Sequence, residues 1–94
     1  MRVQSVFPYF TDPGHGWCKV SKKLCTELGI INAITNYSYV KGENLYLEED
    51  YDMSTFFNAY EAKYGKKPKL TLMVARLRQS KIRSYDRWVA NTAP

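Results

Sequence analysis

The chain has 94 residues, with 14 Lys and Arg against nine Asp and Glu, one His and two Cys. That length suits one compact domain that hides roughly 65% of the unfolded chain's surface without help from disulfides or metal. The 45% hydrophobic and 24% charged fractions argue against wholesale disorder, and the single His rules out any site that needs two imidazoles.

In chain order, Arg2 to Phe10 reads as a strand, rich in Val, Phe and Tyr. Pro8 is expected to push it to a sheet edge or to confine pairing to its first part. Thr11-Asp12-Pro13-Gly14-His15-Gly16 is a turn of about six residues, since Pro fixes φ and Gly permits positive φ. Trp17 to Val20 resumes as a strand, which makes a hairpin. Ser21 is a suitable N-cap for a short helix from Lys22 to Leu28, closed by Gly29, with Leu24, Cys25 and Leu28 as its apolar stripe. Lys22 and Lys23 sit at the wrong end of that helix's dipole, which hints at another use for them. Ile30, Ile31 and Ile34 extend the core.

Residues 37–40 and 45–48 read as two strands around a two-residue turn of type II′ at Gly42-Glu43. That turn pairs Lys41 with Asn44, Tyr39 with Tyr46 and Tyr37 with Glu48. Period two then places Val40, Leu45 and Leu47 on one face and Tyr37, Tyr39 and Tyr46 on the other. Asp52 is the expected cap of a helix from Met53 to Tyr64, with Met53, Phe56, Phe57, Tyr60 and Tyr64 at helical spacing and Gly65 as its stop. Lys69 to Leu77 is a strand with Leu70, Leu72 and Val74 on one face. Residues 78–94 lack periodicity and read as an irregular tail. The expected fold is α+β: a small antiparallel or mixed sheet of about five strands, ordered β-β-α-β-β-α-β, with two helices packed on one face. Residues 1–88 form the expected domain and 89–94 a frayed tail.

Charge divides along the chain. Residues 1–62 carry five basic and eight acidic residues, net −3; residues 63–87 carry nine basic and one acidic, net +8. The basic third is a candidate surface for nucleic acid or an acidic protein. Equally, the acidic run at 43–52 can neutralise it within the chain. Within the basic third, Arg76, Arg78, Lys81, Arg83 and Arg87 alternate with Tyr85 and Trp88. Guanidinium groups grip anions and the aromatic rings offer stacking faces, and the same types recur at protein-interface hot spots. Tyr85 and Trp88 can also simply pin the tail to the sheet.

No Gly-rich phosphate loop, metal-ligand spacing or nucleophile motif is present, so no cofactor or metal is implied. Cys18 and Cys25 read as reduced core residues. Glu48, Glu49, Asp50 and Asp52 read as helix-start acids rather than cation ligands. His15, in a glycine-flanked turn, is expected to be exposed and is a candidate for a chemical or binding role.

Asp12-Pro13-Gly14-His15-Gly16-Trp17, Tyr37-Ser38-Tyr39, Tyr46-Leu47-Glu48-Glu49-Asp50 and Ile82-Arg83-Ser84-Tyr85 resemble signature blocks of a family of small uncharacterised proteins of bacteriophages and mobile elements. The blocks spread over about three quarters of the chain. Cys18 stands where the family pattern has Leu, and Tyr51 where it has Cys. The resemblance implies an accessory gene product made in the bacterial cytoplasm that acts by binding host machinery, defence systems included. It singles out His15, Tyr46, Glu48, Glu49, Arg83 and Tyr85.

The leading expectation is a non-enzymatic protein that binds a host protein through His15, Tyr37, Tyr39, Tyr46, Arg76, Arg78, Lys81, Arg83, Tyr85, Arg87 and Trp88. One alternative is nucleic-acid binding by residues 63–88. A second is a small hydrolase or nuclease using His15 with Glu48 or Glu49. No apolar run reaches transmembrane length and no signal peptide opens the chain, so a membrane role is not expected. An exposed Tyr face on the 37–48 hairpin would favour a homodimer.

Overall fold

The structure, a computed structural model, describes residues 4–75 and 81–89, with the backbone alone at Val74, Ala75 and Lys81. Six strands form one mixed sheet: β1 (Val6–Thr11), β2 (Gly16–Ser21), β3 (Tyr39–Lys41), β4 (Asn44–Glu48), β5 (Lys69–Ala75) and β6 (Asp86–Arg87). Their spatial order is β5-β1-β2-β4-β3-β6. Only the β1–β5 pair is parallel. Helices α1 (Lys22–Glu27) and α2 (Asp52–Tyr64) lie on one face, which is the α+β arrangement expected.

The hairpin register follows from side-chain alternation. Tyr39 faces Tyr46 and Lys41 faces Asn44, and Gly42 carries the turn with φ of +60°, while among the described residues no non-glycine residue has a positive φ. That pattern fits a type II′ turn. The pairing stops at Tyr39, however. Tyr37 does not oppose Glu48, which pairs with Trp17 of β2 instead.

The helix-side core gathers Phe7, Cys18, Val20, Leu45 and Leu47 from the strands, Leu24 and Cys25 from α1, Ile30 and Ile34 beyond it, and Phe56 and Tyr60 from α2. The Phe7 ring meets Phe56 and Tyr60 edge-on at 5.0 and 5.9 Å. The Tyr60 hydroxyl donates to the Gln4 carbonyl at 2.8 Å, tying the start of the chain to α2. Each such aromatic, once buried, contributes roughly 1.5–3 kcal/mol.

Both free cysteines lie in this core, and burial pushes each thiol up to about 12. The native protein is therefore expected to resist Ellman's reagent at pH 8 and to react fully once unfolded in guanidinium. The two thiols stay protonated in the folded chain but ionise near pH 9 when unfolded. Stability is thus intact below pH 9 and declines from there towards pH 12, by about 1.4 kcal/mol per pH unit for each thiol. Urea melts at pH 8 and pH 10.5 check the slope.

Several expectations are corrected. β1 is an inner strand, not an edge. Pro8 is accommodated because pairing with β2 begins one residue later, at Tyr9, so no N–H is needed from it on that side. The loop between β1 and β2 is four residues, not six. Neither Gly14 nor Gly16 has a positive φ; both serve close approach. A side chain at Gly14 would strike the Arg83 guanidinium, and one at Gly16 the Tyr9 hydroxyl.

β5 does not keep one alternation. Tyr9 pairs with Leu72 and Phe10 with Val74, which leaves Met73 as a bulge residue. Leu72 and Met73 are each 58% exposed on this edge strand. A bulge there discourages another chain from adding to the edge. The expected irregular tail contains, within its described part, a 3-10 turn at Lys81–Ser84 and strand β6 on β3. A two-residue strand has no periodicity to read. Arg76, Arg78 and residues 90–94 lie outside the described residues.

Helix α2 begins differently from expectation. Tyr51 occupies the N-cap position without a side-chain bond. The Glu48 carboxylate accepts the N–H groups of Asp50, Tyr51 and Asp52 instead. Asp52, one position inside the helix and fully buried, accepts from the Thr35 N–H and hydroxyl and from the Ser38 hydroxyl. At α1 the expected cap is present, with Leu24 N–H donating to Ser21 Oγ at 3.1 Å. Lys22 lies over the Trp88 ring at 5.9 Å, so its side chain covers an aromatic surface despite its dipole mismatch.

Candidate functional site

The second face of the sheet carries its own cluster. Trp17, Tyr46 and Ile82 are buried there, with Phe10, Tyr39 and Tyr85 packed on them. Tyr46 and Tyr85 approach to 5.2 Å between ring centres, and burial beside Tyr85 raises the Tyr46 hydroxyl above its ordinary range. The tyrosine face of the β3–β4 hairpin is therefore covered by residues 82 and 85 of the same chain. Of the hairpin tyrosines, Tyr46 is spent inside, while Tyr37 stays open.

Next to this cluster lies a cleft of about 430 Å³, lined by His15, Trp17, Tyr37, Tyr39, Glu48, Asp50, Tyr51, Arg83 and Arg87. One wall is built by the turn after β1. The Asp12 carboxylate accepts the N–H groups of Gly14 and His15 at 3.0 Å each, and Asp12 N–H donates to the His15 carbonyl at 2.9 Å. The same carboxylate takes Arg83 through Nε at 2.7 Å and Nη2 at 2.9 Å. Its hydrogen bonds hold the guanidinium above its ordinary range. The two-pronged geometry fixes both position and plane of Arg83.

Arg83 in turn lies over Trp17 at 5.6 Å, Trp17 meets Tyr39 at 6.3 Å, and Arg87 lies over Tyr39 at 5.2 Å. The result is a ladder of guanidinium, indole, phenol and guanidinium across β2, β3 and β6. The His15 ring continues it beyond Trp17, at 6.0 Å. Arg87 also donates from Nη1 to the Asn36 carbonyl at 3.0 Å.

The opposite wall rests on the start of α2. The Ser38 hydroxyl donates to Asp52 and accepts the Glu48 N–H at 3.0 Å. Thr35 and Ser38 are thus tied to Asp52, and Glu48 to the residues that follow it. That network fixes the 35–38 loop, and with it Tyr37. Tyr37 and Tyr51 stand at the rim, 63% and 58% exposed.

Five of the expected binding residues meet here: His15, Tyr37, Tyr39, Arg83 and Arg87. Tyr46 and Tyr85 support the floor from behind. Trp88 goes elsewhere, its ring packing on the helix-side core while its backbone N–H donates to the Ser38 carbonyl at 2.8 Å. Its role is to anchor the terminal segment. The side chain of Lys81 and all of Arg76 and Arg78 fall outside the described residues. Glu49 is not in the cleft. It accepts from the Tyr9 hydroxyl at 3.0 Å, which together with burial pushes that phenol up to about 12.

Reading the sequence missed Trp17, Tyr51 and Asp12 as site residues. Asp12 had a usable signal: an acid opening a Pro-Gly turn beside the only His. Among the described residues, Arg83 of the basic segment pairs with Asp12. The four segments containing residues 12–17, 37–39, 46–50 and 82–85 converge on this one cleft and its floor.

Among the described residues, no group of three His, Cys, Asp or Glu side chains is placed to hold a metal ion. Nor is any helix long and apolar enough to cross a membrane. No family model, curated protein or solved structure matches this chain.

Proposed function

We propose that the protein is a non-enzymatic accessory protein of bacteriophage or mobile-element type. It binds a host protein in the bacterial cytoplasm through the cleft between the β1–β2 turn and the start of α2, with inhibition of a defence system as one outcome. The observation that carries this reading is the cleft's make-up. Trp17, Tyr37, Tyr39, Tyr51, Arg83 and Arg87 surround one concavity, and these are the residue types that supply most binding energy at protein interfaces. The arginines are held in place by Asp12, Trp17, Tyr39 and Asn36 before any partner arrives. Ordering that is already in place lowers the entropic cost of association. Glu48, the carboxylate required by one hydrolytic alternative, is occupied by three backbone N–H groups.

Tagged protein incubated with bacterial lysate is expected to recover a stoichiometric protein partner. The double variant Tyr37→Ala/Tyr51→Ala should lose at least tenfold of that capture with unchanged circular dichroism, because both side chains are exposed at the rim. Equal capture by the double variant, or no partner for a folded protein, overturns the proposal.

A further inference from the structure

The cleft's two arginines are not equivalent. Arg83 is neutralised: both oxygens of Asp12 are on it, and the Asp12 side chain is fully shielded from solvent. Arg87 is held by the Tyr39 ring and the Asn36 carbonyl. Yet among the described residues no carboxylate comes within 4.0 Å of it. A guanidinium fixed by stacking and one carbonyl, facing a cleft, retains N–H groups in fork geometry for an acceptor from outside.

The acids of the cleft do not fill that role. Glu48 spends its carboxylate on the first N–H groups around α2, and Asp50 lies exposed in the segment between β4 and α2. They limit how much negative charge can enter. A polyanion threading the cleft would run past Glu48 and Asp50, whereas a single anionic group can reach Arg87 alone. The rest of the lining is flat and aromatic, with Tyr37 and Tyr51 prominent at the rim. About 430 Å³ accommodates two or three side chains, within the range of small-ligand pockets.

We infer that the cleft recognises a peptide segment in which one carboxylate side chain neighbours an aromatic one, with the carboxylate on Arg87 and the aromatic ring between Tyr37 and Tyr51. This rests on the binding reading above and names the chemistry of the bound segment. The same geometry disfavours nucleic acid, whose repeated phosphates find one uncompensated guanidinium among the described residues and two carboxylates beside it.

Three probes are titrated into the 15N-labelled full chain: N-acetyl-Asp-Tyr-amide, N-acetyl-Asn-Tyr-amide and uridine monophosphate. The acidic dipeptide should shift the Trp17 indole and Arg87 Nε resonances, with affinity at least fivefold above that of the neutral dipeptide. Arg87→Gln should abolish that difference while leaving the remaining spectrum in place. Equal binding of the two dipeptides, no shift with the acidic dipeptide, or tighter binding of the nucleotide overturns the inference. Capture from lysate separates it from the underlying reading. If Tyr37→Ala/Tyr51→Ala loses the partner and Arg87→Gln keeps it, the cleft binds a partner but not through a carboxylate. If neither variant loses it, both readings fall.

Discussion

Replacing Asp52 with alanine is expected to cost about 3 kcal/mol of folding stability. The side chain is fully buried and accepts from the Thr35 N–H, the Thr35 hydroxyl and the Ser38 hydroxyl. Truncation leaves the Thr35 and Ser38 donors without that acceptor and opens a small void, and each unmet buried donor costs about 1–3 kcal/mol. Some of this is returned, because a charge no longer has to be desolvated. Asn at this position keeps one carboxyl-like oxygen and should cost about half as much. Urea unfolding of the three proteins measures the order. The same variant should weaken partner capture, since the 35–38 loop that carries Tyr37 loses its tether. A loss below about 1 kcal/mol would mean that the loop finds other acceptors and that Asp52 does not organise this wall.

Asp12→Ala is expected to cost a similar amount, about 3 kcal/mol, for a different reason. Breaking a buried ion pair from one side typically costs 3–5 kcal/mol because a charge is left without a partner. Here the Arg83 side chain is 27% exposed while that of Asp12 is 0% exposed, so the stranded guanidinium regains some water and the loss falls at the low end. The Gly14 and His15 N–H groups lose their acceptor too. Arg83→Ala strands a carboxylate that is 0% exposed, but Asp12 keeps both of those N–H groups, so a comparable loss is expected. Melting curves of the two single variants and the double variant close a cycle whose coupling term isolates the ion pair. Additive losses would show that the pair contributes nothing beyond its parts.

What was legible in the sequence was local. The β3–β4 hairpin could be read because Gly42 sets the turn and alternation sets the faces, and both act within ten residues. Helix α2 was legible from Met53, Phe56, Tyr60 and Gly65 for the same reason. α1 was legible from Ser21, whose hydroxyl meets an N–H three residues on. The features that make the cleft are distant pairings. Asp12 and Arg83 are 71 residues apart, and nothing near either one announces the other. Glu48 replaces Asp52 as the acceptor at the helix start because the chain turns back between them, which a spacing rule does not foresee. At Met73 the bulge breaks an alternation that composition alone supports. Tyr46 and Tyr85, expected to touch a partner, pack on each other beneath the cleft: two aromatic surfaces that can cover each other do so.

The sheet order has a consequence for when the cleft comes into being. Among the described residues, the buried members of the helix-side core all precede residue 61, so that half of the molecule can collapse on contacts made early in the chain. Arg83 and Arg87, by contrast, belong to a segment that must travel from β5 at one edge of the sheet to β6 at the other. Closing such long loops is slow relative to local folding. Arg83 and Arg87 are therefore expected to join the cleft late, onto a scaffold that already holds β2, β3 and β4 in place. Seven of the nine residues that line the cleft lie between His15 and Tyr51, so the strands that build the fold also carry most of the cleft, and only Arg83 and Arg87 come to it from the later segment.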